Sequence, residues 1–202
     1  MQAREIMTTP VVTVRPGTPI RDAAAVLLDQ GITAAPVVDE DDEIVGMVSE
    51  GDLVVGHFAE DPRSHVRPVH DEPPGPRTVG EVMSTMVIAL GPSADAADLA
   101  RAMVDDDIRS IPIVEGASVL GIVSRRDLLR TLVRDDADIR ADILDRLARS
   151  GTPADRWDVQ VEDGAVALVG LAGGDDARAV VALARTVPGV SAVRTTASAP
   201  ST

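Results

Sequence analysis

Cysteine and lysine are both absent from this chain of 202 residues. Without cysteine there can be no disulfide, no thiolate metal site and no thiol nucleophile. All 19 basic residues are arginine, which also excludes a P-loop lysine, a Schiff base and a lysine general base. Several classes of enzyme are therefore ruled out before any motif is considered.

Aromatic side chains and long apolar runs are also scarce. Only Phe58 and Trp157 could stack on a base, and the formal net charge of -14 disfavours a nucleic-acid partner. No apolar run approaches the ~18 to 20 residues that span a membrane. The N-terminus, with Arg4 and Glu5, lacks the cationic and apolar blocks of a signal peptide. We therefore expect a soluble, cytoplasmic protein.

An internal duplication organises the first two thirds of the chain. Residues 7–38 align without gaps on residues 83–114, and one residue is then lost in the acidic turn at 39–43. Self-similarity over this length indicates two structural repeats. The identical pairs include Met7 with Met83, Pro16 with Pro92, Asp22 with Asp98, and Pro36 with Pro112.

Each repeat closes with the same turn from an apolar strand into a helix. We call residues 46–52 the Ser49 turn and residues 121–127 the Ser124 turn; both read Gly-x-x-Ser-x-x-Asp. Free amides at a helix start attract an anion, a serine hydroxyl can reach phosphate, and a carboxylate can accept hydrogen bonds from a ribose diol. Alternatively, the serine only caps the helix and the aspartate only suits its first turn. The occurrence in both repeats favours the ligand.

The pattern of each repeat predicts strand, helix, strand, strand, helix. In the first repeat a β-branched run at 11–14 predicts a strand, and a helix begins at Thr18-Pro19 and ends at Gly31. Residues 35–38 and 44–48 predict a buried hairpin around the acidic turn. A repeat of about 55 residues is marginal alone, so we expect the two repeats to share a core.

The remaining C-terminal segment has a different pattern. It predicts a helix over 135–149, two strands joined by a hairpin turn at Asp163-Gly164, a helix over 175–187 and a last strand over 190–194. Ile139, Ile143, Leu144 and Leu147 share one face of the first helix. Residues 195–202 are small and polar, and we expect them to be frayed.

The duplicated segment resembles the cystathionine β-synthase (CBS) domain family, and the pair resembles a Bateman module. The resemblance rests on Arg4-Glu5-Ile6-Met7 and Gly80-Glu81-Val82-Met83, on the strands at Pro36 and Pro112, and on the Ser49 and Ser124 turns. It implies an α/β (α+β) fold, β-α-β-β-α in each repeat, and regulatory binding of adenosine-containing ligands in two clefts between the repeats. It also implies a homodimer.

The resemblance assigns ligand contacts to each cleft. The aspartate would hold the ribose hydroxyls, the serine would contact ribose or phosphate, and apolar groups would enclose the adenine. AMP, ADP and ATP are the expected ligands, ahead of S-adenosylmethionine. One cleft would use Ser124 and Asp127 with Met7, Val12, Ile32, Thr33 and Ile122; the other would use Ser49 and Asp52 with Met47, Met83, Ile88, Ile108 and Arg109.

Charge distinguishes the two clefts. Arg125 and Arg126 occupy the helix start of the Ser124 turn, where a guanidinium can bind phosphate with two hydrogen bonds. The Ser49 turn has Glu50 at the matching place, offset only by Arg109. We therefore hypothesise that the Ser124 cleft is the stronger nucleotide site, with the alternative that its two arginines point to solvent.

The C-terminal segment resembles the BON domain of bacterial osmotic and transport proteins. Its signature blocks are the alternating valines and glycines of residues 159–170 and the Val187-Pro188-Gly189-Val190 block. The resemblance implies association of some members with phospholipid or membrane surfaces. From residue 135 onward, however, acidic residues outnumber arginines, which suits anionic lipid poorly. A partner-protein or interdomain role is favoured instead.

A proline-rich stretch separates the two repeats and predicts an extended linker. Its histidines, His57, His65 and His70, lie near acidic residues and could hold a divalent metal, but their spacing fits no single helix face, so no metal is expected. The predicted domains are a first CBS domain at 1–58, the linker at 59–76, a second CBS domain at 77–134, a BON domain at 135–195 and a flexible tail at 196–202.

These patterns predict a non-catalytic regulatory protein in which the CBS pair binds an adenine nucleotide and the BON domain signals. No Ser-His-Asp set with a histidine inside a predicted domain, no H-E-x-x-H and no G-x-G-x-x-G after a strand supports catalysis. One alternative is a protein-interaction or membrane-surface adaptor with empty CBS clefts. The other is a hydrolase without a known motif.

Overall fold

The computed structural model describes residues 1–55, 75–152, 156–170 and 175–197. The linker histidines and most of the predicted linker lie outside the described residues. Within these ranges no helix combines the length and apolarity that crossing a bilayer requires.

The first repeat forms two helices around a two-stranded sheet. Helix α1 spans Ile20–Gln30 and begins directly after Pro19, whose fixed φ suits a helix start. Strand β1, Ala34–Val38, pairs antiparallel with β2, Ile44–Ser49, and α2 follows over Glu50–Val54. The carboxylate of Asp39 accepts from the amides of Asp41 and Glu43, which closes the acidic turn between the strands.

The second repeat reproduces this order. Helix α3 spans Ala96–Asp105, strands β3 (Ser110–Glu115) and β4 (Ser118–Ser124) pair with each other, and α4 spans Arg125–Leu132. Asp95 caps α3 by accepting from the amide of Ala97 at 2.8 Å. The helix, hairpin and helix predicted for each repeat are thus confirmed.

The strand predicted at residues 11–14 is wrong. Only a single parallel bridge, Val14 with Val37, joins this run to β1, and Leu90 with Ile113 is its counterpart in the second repeat. The bridge consists of two hydrogen bonds: the Val14 amide donates to the Pro36 carbonyl, and the Val38 amide donates to the Val14 carbonyl. The next hydrogen bonds of the ladder would need an amide from Pro16 in one direction and from Pro36 in the other, and neither has one, so the ladder does not lengthen.

The repeats exchange their leading segments. The amide of Thr8, in the first repeat, donates to Ile122 of β4 at 2.8 Å, and that of Ser84, in the second repeat, donates to Met47 of β2 at 2.9 Å. Val79 of the second repeat belongs to the buried cluster of the first, together with Ile20 and Leu27. The core of the first repeat therefore includes the leading segment of the second repeat, and a single core common to both repeats stays a prediction.

The exchange explains why the compact units of the chain do not coincide with the repeats. The first unit comprises Thr8–Pro92 with Ile108–Ile122. The second unit comprises Met1–Met7, Ser93–Asp107 and Val123–Thr202, so it contains helices α3 and α4 together with the C-terminal segment.

The C-terminal segment folds as two helices on a three-stranded sheet. Its elements are α5 (Asp136–Arg149), β5 (Trp157–Glu162), β6 (Ala165–Gly170), α6 (Asp175–Arg185) and β7 (Ala192–Ala197). Strand β6 lies in the centre, antiparallel to β5 and parallel to β7. The buried core contains Ile139, Ile143, Leu147, Trp157, Val159, Val166, Leu168, Val180, Ala184 and Val187.

The end of this domain corrects three predicted boundaries, one of which is the end of the last strand: β7 continues to Ala197, beyond residue 194 and into the segment expected to be frayed. Helix α6 stops at Arg185 rather than at residue 187, and β7 starts at Ala192 rather than at residue 190. The Thr186 hydroxyl donates to the carbonyl of Leu183, and Pro188 has no amide to continue the helix. Residues 186–191 therefore form a longer connection than the sequence indicated.

Candidate functional site

The Ser49 turn is closed by mutual hydrogen bonds between its serine and its aspartate. Oδ2 of Asp52 accepts from the Ser49 amide and from the Ser49 hydroxyl, each at 2.7 Å. The Asp52 amide points back to the Ser49 hydroxyl at 3.4 Å. This is the capping box expected at a helix start, and it fixes the position of both side chains. Within the described ranges no group hydrogen-bonds to the second oxygen, Oδ1 of Asp52.

The Ser124 turn has the same capping box with one addition. Oδ2 of Asp127 accepts from the Ser124 amide at 2.8 Å and from its hydroxyl at 2.6 Å. The second oxygen, Oδ1, accepts from Nη1 of Arg130 at 2.9 Å. Asp127 is only 7% exposed, whereas Asp52 is half-buried. The residue that matches Arg130 in the first repeat is Val55, which cannot form this ion pair.

Arg125 and Arg126 differ in their surroundings. Nη2 of Arg125 donates to the carbonyl of Met103 at 2.7 Å and to Asp107 at 3.1 Å, so this guanidinium holds the C-terminal end of α3. Arg126 is exposed at the start of α4. The structure therefore places Arg125 against α3, whereas the sequence hypothesis assigned it to phosphate.

Several residues predicted for the Ser49 cleft lie together. Met47 and Ser84 exchange two backbone hydrogen bonds of 2.9 Å, which places Met83 beside β2. Gly46 is buried there, and a Cβ on it would lie 2.8 Å from Sδ of Met83. Ile88 and Arg109 belong to the same compact unit and are exposed.

Thr33 lies next to the Ser49 turn, because its carbonyl accepts from the Glu50 amide at 3.0 Å. The resemblance had assigned Thr33 and its neighbour Ile32 to the other cleft. For the Ser124 cleft, the bridge between Thr8 and Ile122 brings the residue after Met7 to the end of β4. Val12 and Ile108 are half-buried.

The sequence reasoning missed two contributors, the Ser84 backbone and Arg130. Arg130 stands three residues after Asp127, a spacing that brings side chains together on a helix, so this ion pair could have been predicted. The Ser84 contact depends on the exchange of leading segments, for which no local signal exists.

The segment leading to Met83 is itself anchored by a capped turn. The carboxylate of Glu81 accepts from the Arg77 amide at 3.2 Å and from the Thr78 hydroxyl at 2.9 Å. These hydrogen bonds lower the pKa of Glu81 below its usual value, and the one from the Arg77 amide contributes most. The carboxylate therefore stays ionised and holds the short 3-10 helix Val79–Glu81 at neutral pH.

Comparison with protein families assigns most of the described chain to two domain types. The CBS-domain model matches residues 3–55 and 79–134, and the BON-domain model matches residues 135–197. The CBS matches alone cover more than half of the chain.

Individual relatives share the CBS part. MJ1404 of Methanocaldococcus jannaschii is 35% identical over 128 residues, which are 62% of this chain but only 30% of that protein. The CBS domain-containing protein YhcV of Bacillus subtilis is 31% identical over 62% of this chain and 81% of its own length. Among solved structures, CBSX2 in complex with AMP is 25% identical and covers 64% of this chain and 93% of its own, with a TM-score of 0.52.

The same assignment follows from the duplicated turns, the exchanged leading segments, the family matches and the relatives. This chain belongs to the CBS-domain family, with a tandem pair of CBS domains followed by a BON domain.

Proposed function

We propose that the protein is a regulatory adenine-nucleotide sensor in which the CBS pair binds AMP, ADP or ATP and the BON domain passes on the signal. The observation that carries the proposal is the pair of Ser–Asp turns, each approached by the leading segment of the other repeat. The similar structure of CBSX2 contains AMP, which supports a ligand of the adenine-nucleotide class.

The accessibility of the Asp52 and Asp127 carboxylates indicates which cleft binds nucleotide more tightly. A ribose needs a carboxylate oxygen that can accept its hydroxyls, and Oδ1 of Asp52 meets this need. Asp127 is 7% exposed, and the ribose would have to replace or share the contact with Arg130. With Arg125 directed to α3, the phosphate argument for the Ser124 cleft is weaker than the sequence suggested. We therefore rank the Ser49 cleft as the tighter nucleotide site.

Calorimetric titration of AMP into the full chain tests both the function and the ranking. Asp52→Ala is expected to lower the affinity of the tighter site by about tenfold or more, because a charge-assisted hydrogen bond is worth about 1.5–3 kcal/mol. Asp127→Ala should change mainly the weaker site. Arg130→Val, which installs an aliphatic side chain like that of Val55, should raise the affinity of the weaker site.

Asp98→Ala provides the control, since this aspartate pairs with Arg101 on the exposed face of α3 and touches neither turn. Absence of binding heat with AMP, ADP and ATP alike would refute the function. A larger loss from Asp127→Ala than from Asp52→Ala would reverse the ranking.

The proposal includes that the protein is not an enzyme and that it acts in the cytoplasm. Nucleotide recovered after incubation with the protein should be chemically unchanged, whereas a hydrolase would release phosphate or adenosine. The adaptor alternative, in which the BON domain binds lipid, gains no support from its surface. Among the described residues, the exposed large aliphatic side chains all precede residue 135.

The proposal also includes a homodimer formed through helices of the CBS pair. An apolar groove of about 420 Å³ lies between α3 and α4, with Met103, Leu128 and Leu129 in its lining. Val104, 73% exposed, and Leu132, 75% exposed, also line it. In the first repeat Leu28, 76% exposed, matches Val104, and Val54, 53% exposed, matches Leu129. A second copy carries the same faces, so a two-fold dimer can cover them with like surfaces.

Leu129→Arg is expected to convert the dimer into a monomer, because it places a charge in the groove that the second copy would bury. Light scattering coupled to gel filtration measures the mass. Met86→Arg is the matched control, since Met86 is 90% exposed and lies outside the groove. A wild-type mass near the 21.1 kDa of one chain would exclude the dimer.

A further inference from the structure

The connection after α6 contacts the end of α4. We call residues 186–189 the docking segment. Nη1 of Arg134, two residues beyond α4, donates to the carbonyl of Pro188 at 2.9 Å, and Nη2 of the same side chain pairs with Asp142 of α5 at 2.7 Å. One arginine from the CBS part therefore holds the BON domain at two elements.

The backbone at Gly189 lies close to α4 and has a conformation that favours glycine. Its φ is +91°, and a Cβ there would lie 3.1 Å from the carbonyl oxygen of Thr131 and 2.8 Å from Cδ1 of Ile139. Thr131 belongs to α4, and Ile139 belongs to the core of the BON domain. The glycine of the Val-Pro-Gly block thus serves docking as well as chain reversal.

A second contact reaches the N-terminal segment of the chain. Arg146 of α5 donates to the Thr186 hydroxyl at 2.7 Å and to Glu5 at 2.8 Å. The side chains of Arg146 and Glu5 are only 25% and 23% exposed. Partial burial raises the pKa of Glu5, but the hydrogen bonds from the Gln2 amide and from Arg146, with the charge of Arg146, outweigh it and hold the pKa below its usual value. The pair is therefore charged at neutral pH.

These contacts involve two elements that adjoin residues assigned to the Ser124 cleft. Ser124 caps helix α4 and Asp127 lies in its first turn, and the eight residues of the helix carry the chain about 12 Å towards the docking segment. Glu5 stands two residues before Met7, which the resemblance assigns to the same cleft. Both elements belong to the compact unit that contains the BON domain.

We infer that occupancy of the Ser124 cleft is transmitted to the BON domain through α4 and the 3-10 helix Ala3–Glu5, by way of Arg134, Arg146 and the docking segment. The inference rests on the proposed nucleotide binding. A ligand that orders the start of α4 stabilises the helix to which the BON domain is docked, so binding and docking strengthen each other. The weaker cleft is then the one that signals.

Trp157 provides a specific probe of this coupling. It is the one tryptophan, the chain has no tyrosine, and it is buried in the BON core at 6% exposure. Urea unfolding of the full chain, followed by its fluorescence, therefore reports the BON domain. AMP at a concentration that saturates both clefts should raise the urea midpoint of this signal in the wild type and in Asp52→Ala, but not in Asp127→Ala.

Arg146→Gln tests the route itself. This variant should still bind AMP in calorimetry, yet its Trp157 midpoint should rise less than that of the wild type, because only the contacts of Arg134 and α4 remain; a full response would contradict the part assigned to Arg146. Glu5→Gln should give the same result while leaving every residue of the BON domain in place, which separates lost coupling from misfolding. Arg149→Gln is the matched control: it alters an arginine of the same helix that pairs with Asp145 on the surface, and its AMP response should be that of the wild type.

The experiments distinguish a failure of the transmission from a failure of the proposed nucleotide binding. If AMP binds in calorimetry but the wild-type Trp157 midpoint stays fixed, or if Asp127→Ala responds like the wild type, the transmission is refuted and the nucleotide function stands. If AMP, ADP and ATP give no binding heat, both are refuted.

Discussion

Gly164→Ala is expected to destabilise the BON domain by about 3 kcal/mol, the combined cost of a strained backbone and a forced displacement of packed atoms. Gly164 has φ +73°, and a Cβ on it would lie 2.5 Å from the carbonyl oxygen of Gly189. The turn cannot shift freely, because the carboxylate of Asp136 accepts from the amides of Asp163 and Gly164, both at 2.9 Å. Urea unfolding followed by Trp157 fluorescence measures the loss.

Gly151→Ala separates the two causes. Gly151 also has a left-handed φ, +77°, but a Cβ there would meet nothing within 4 Å. Its substitution should cost only about 1 kcal/mol, the cost of the backbone conformation alone. Equal losses in the two variants would show that the approach of Gly164 to Gly189 is not as close as described.

The parts of the fold that the sequence predicted are those with local causes. The Ser49 and Ser124 turns follow from a capping serine and an aspartate three residues later, and the hairpin at Asp163-Gly164 follows from residues that accept a positive φ. Because the pattern occurs twice, each element of the repeat could be predicted from two independent stretches of sequence. Because each of these signals acts within a few residues, no knowledge of the tertiary structure is needed to use them.

The parts that the sequence did not predict depend on contacts between distant segments. The run at residues 11–14 has strand-forming side chains, yet the neighbouring prolines limit it to one bridge. The exchange that brings Ser84 to Met47 joins residues from different repeats, and nothing near Met47 indicates it. The position of Arg125 on α3 likewise depends on how two helices pack, whereas its place in the sequence suggested phosphate.

The docking of the BON domain also combines a feature with a local cause and a contact between distant segments. The Val187-Pro188-Gly189 block is recognisable as a helix stop, and this role is local. Its contact with Thr131 and Arg134 requires that α4 and α6 come together, which neither helix indicates alone. Sequence reasoning therefore located the domain and left its attachment to the CBS pair undetermined.

Gly46→Val is expected to cost about 2–3 kcal/mol of unfolding free energy and to weaken AMP binding at the Ser49 cleft by about tenfold. A Cβ at Gly46 would lie 2.8 Å from Sδ of Met83 and 3.0 Å from the carbonyl oxygen of Ser84. The Met83 side chain can move, but the Ser84 carbonyl is held by the Met47 amide at 2.9 Å. A branched side chain must therefore push the leading segment of the second repeat away from β2.

Circular dichroism during urea unfolding and calorimetry with AMP measure the two effects together. Gly17→Val is the control, because Gly17 lies in the same compact unit and a Cβ there would meet nothing within 4 Å. Since an open surface substitution changes stability by about 0.5 kcal/mol or less, this variant should keep both properties. If Gly46→Val lost stability but bound AMP with unchanged affinity, the exchange of leading segments would serve the core alone, and Met83 would have no part in the nucleotide site.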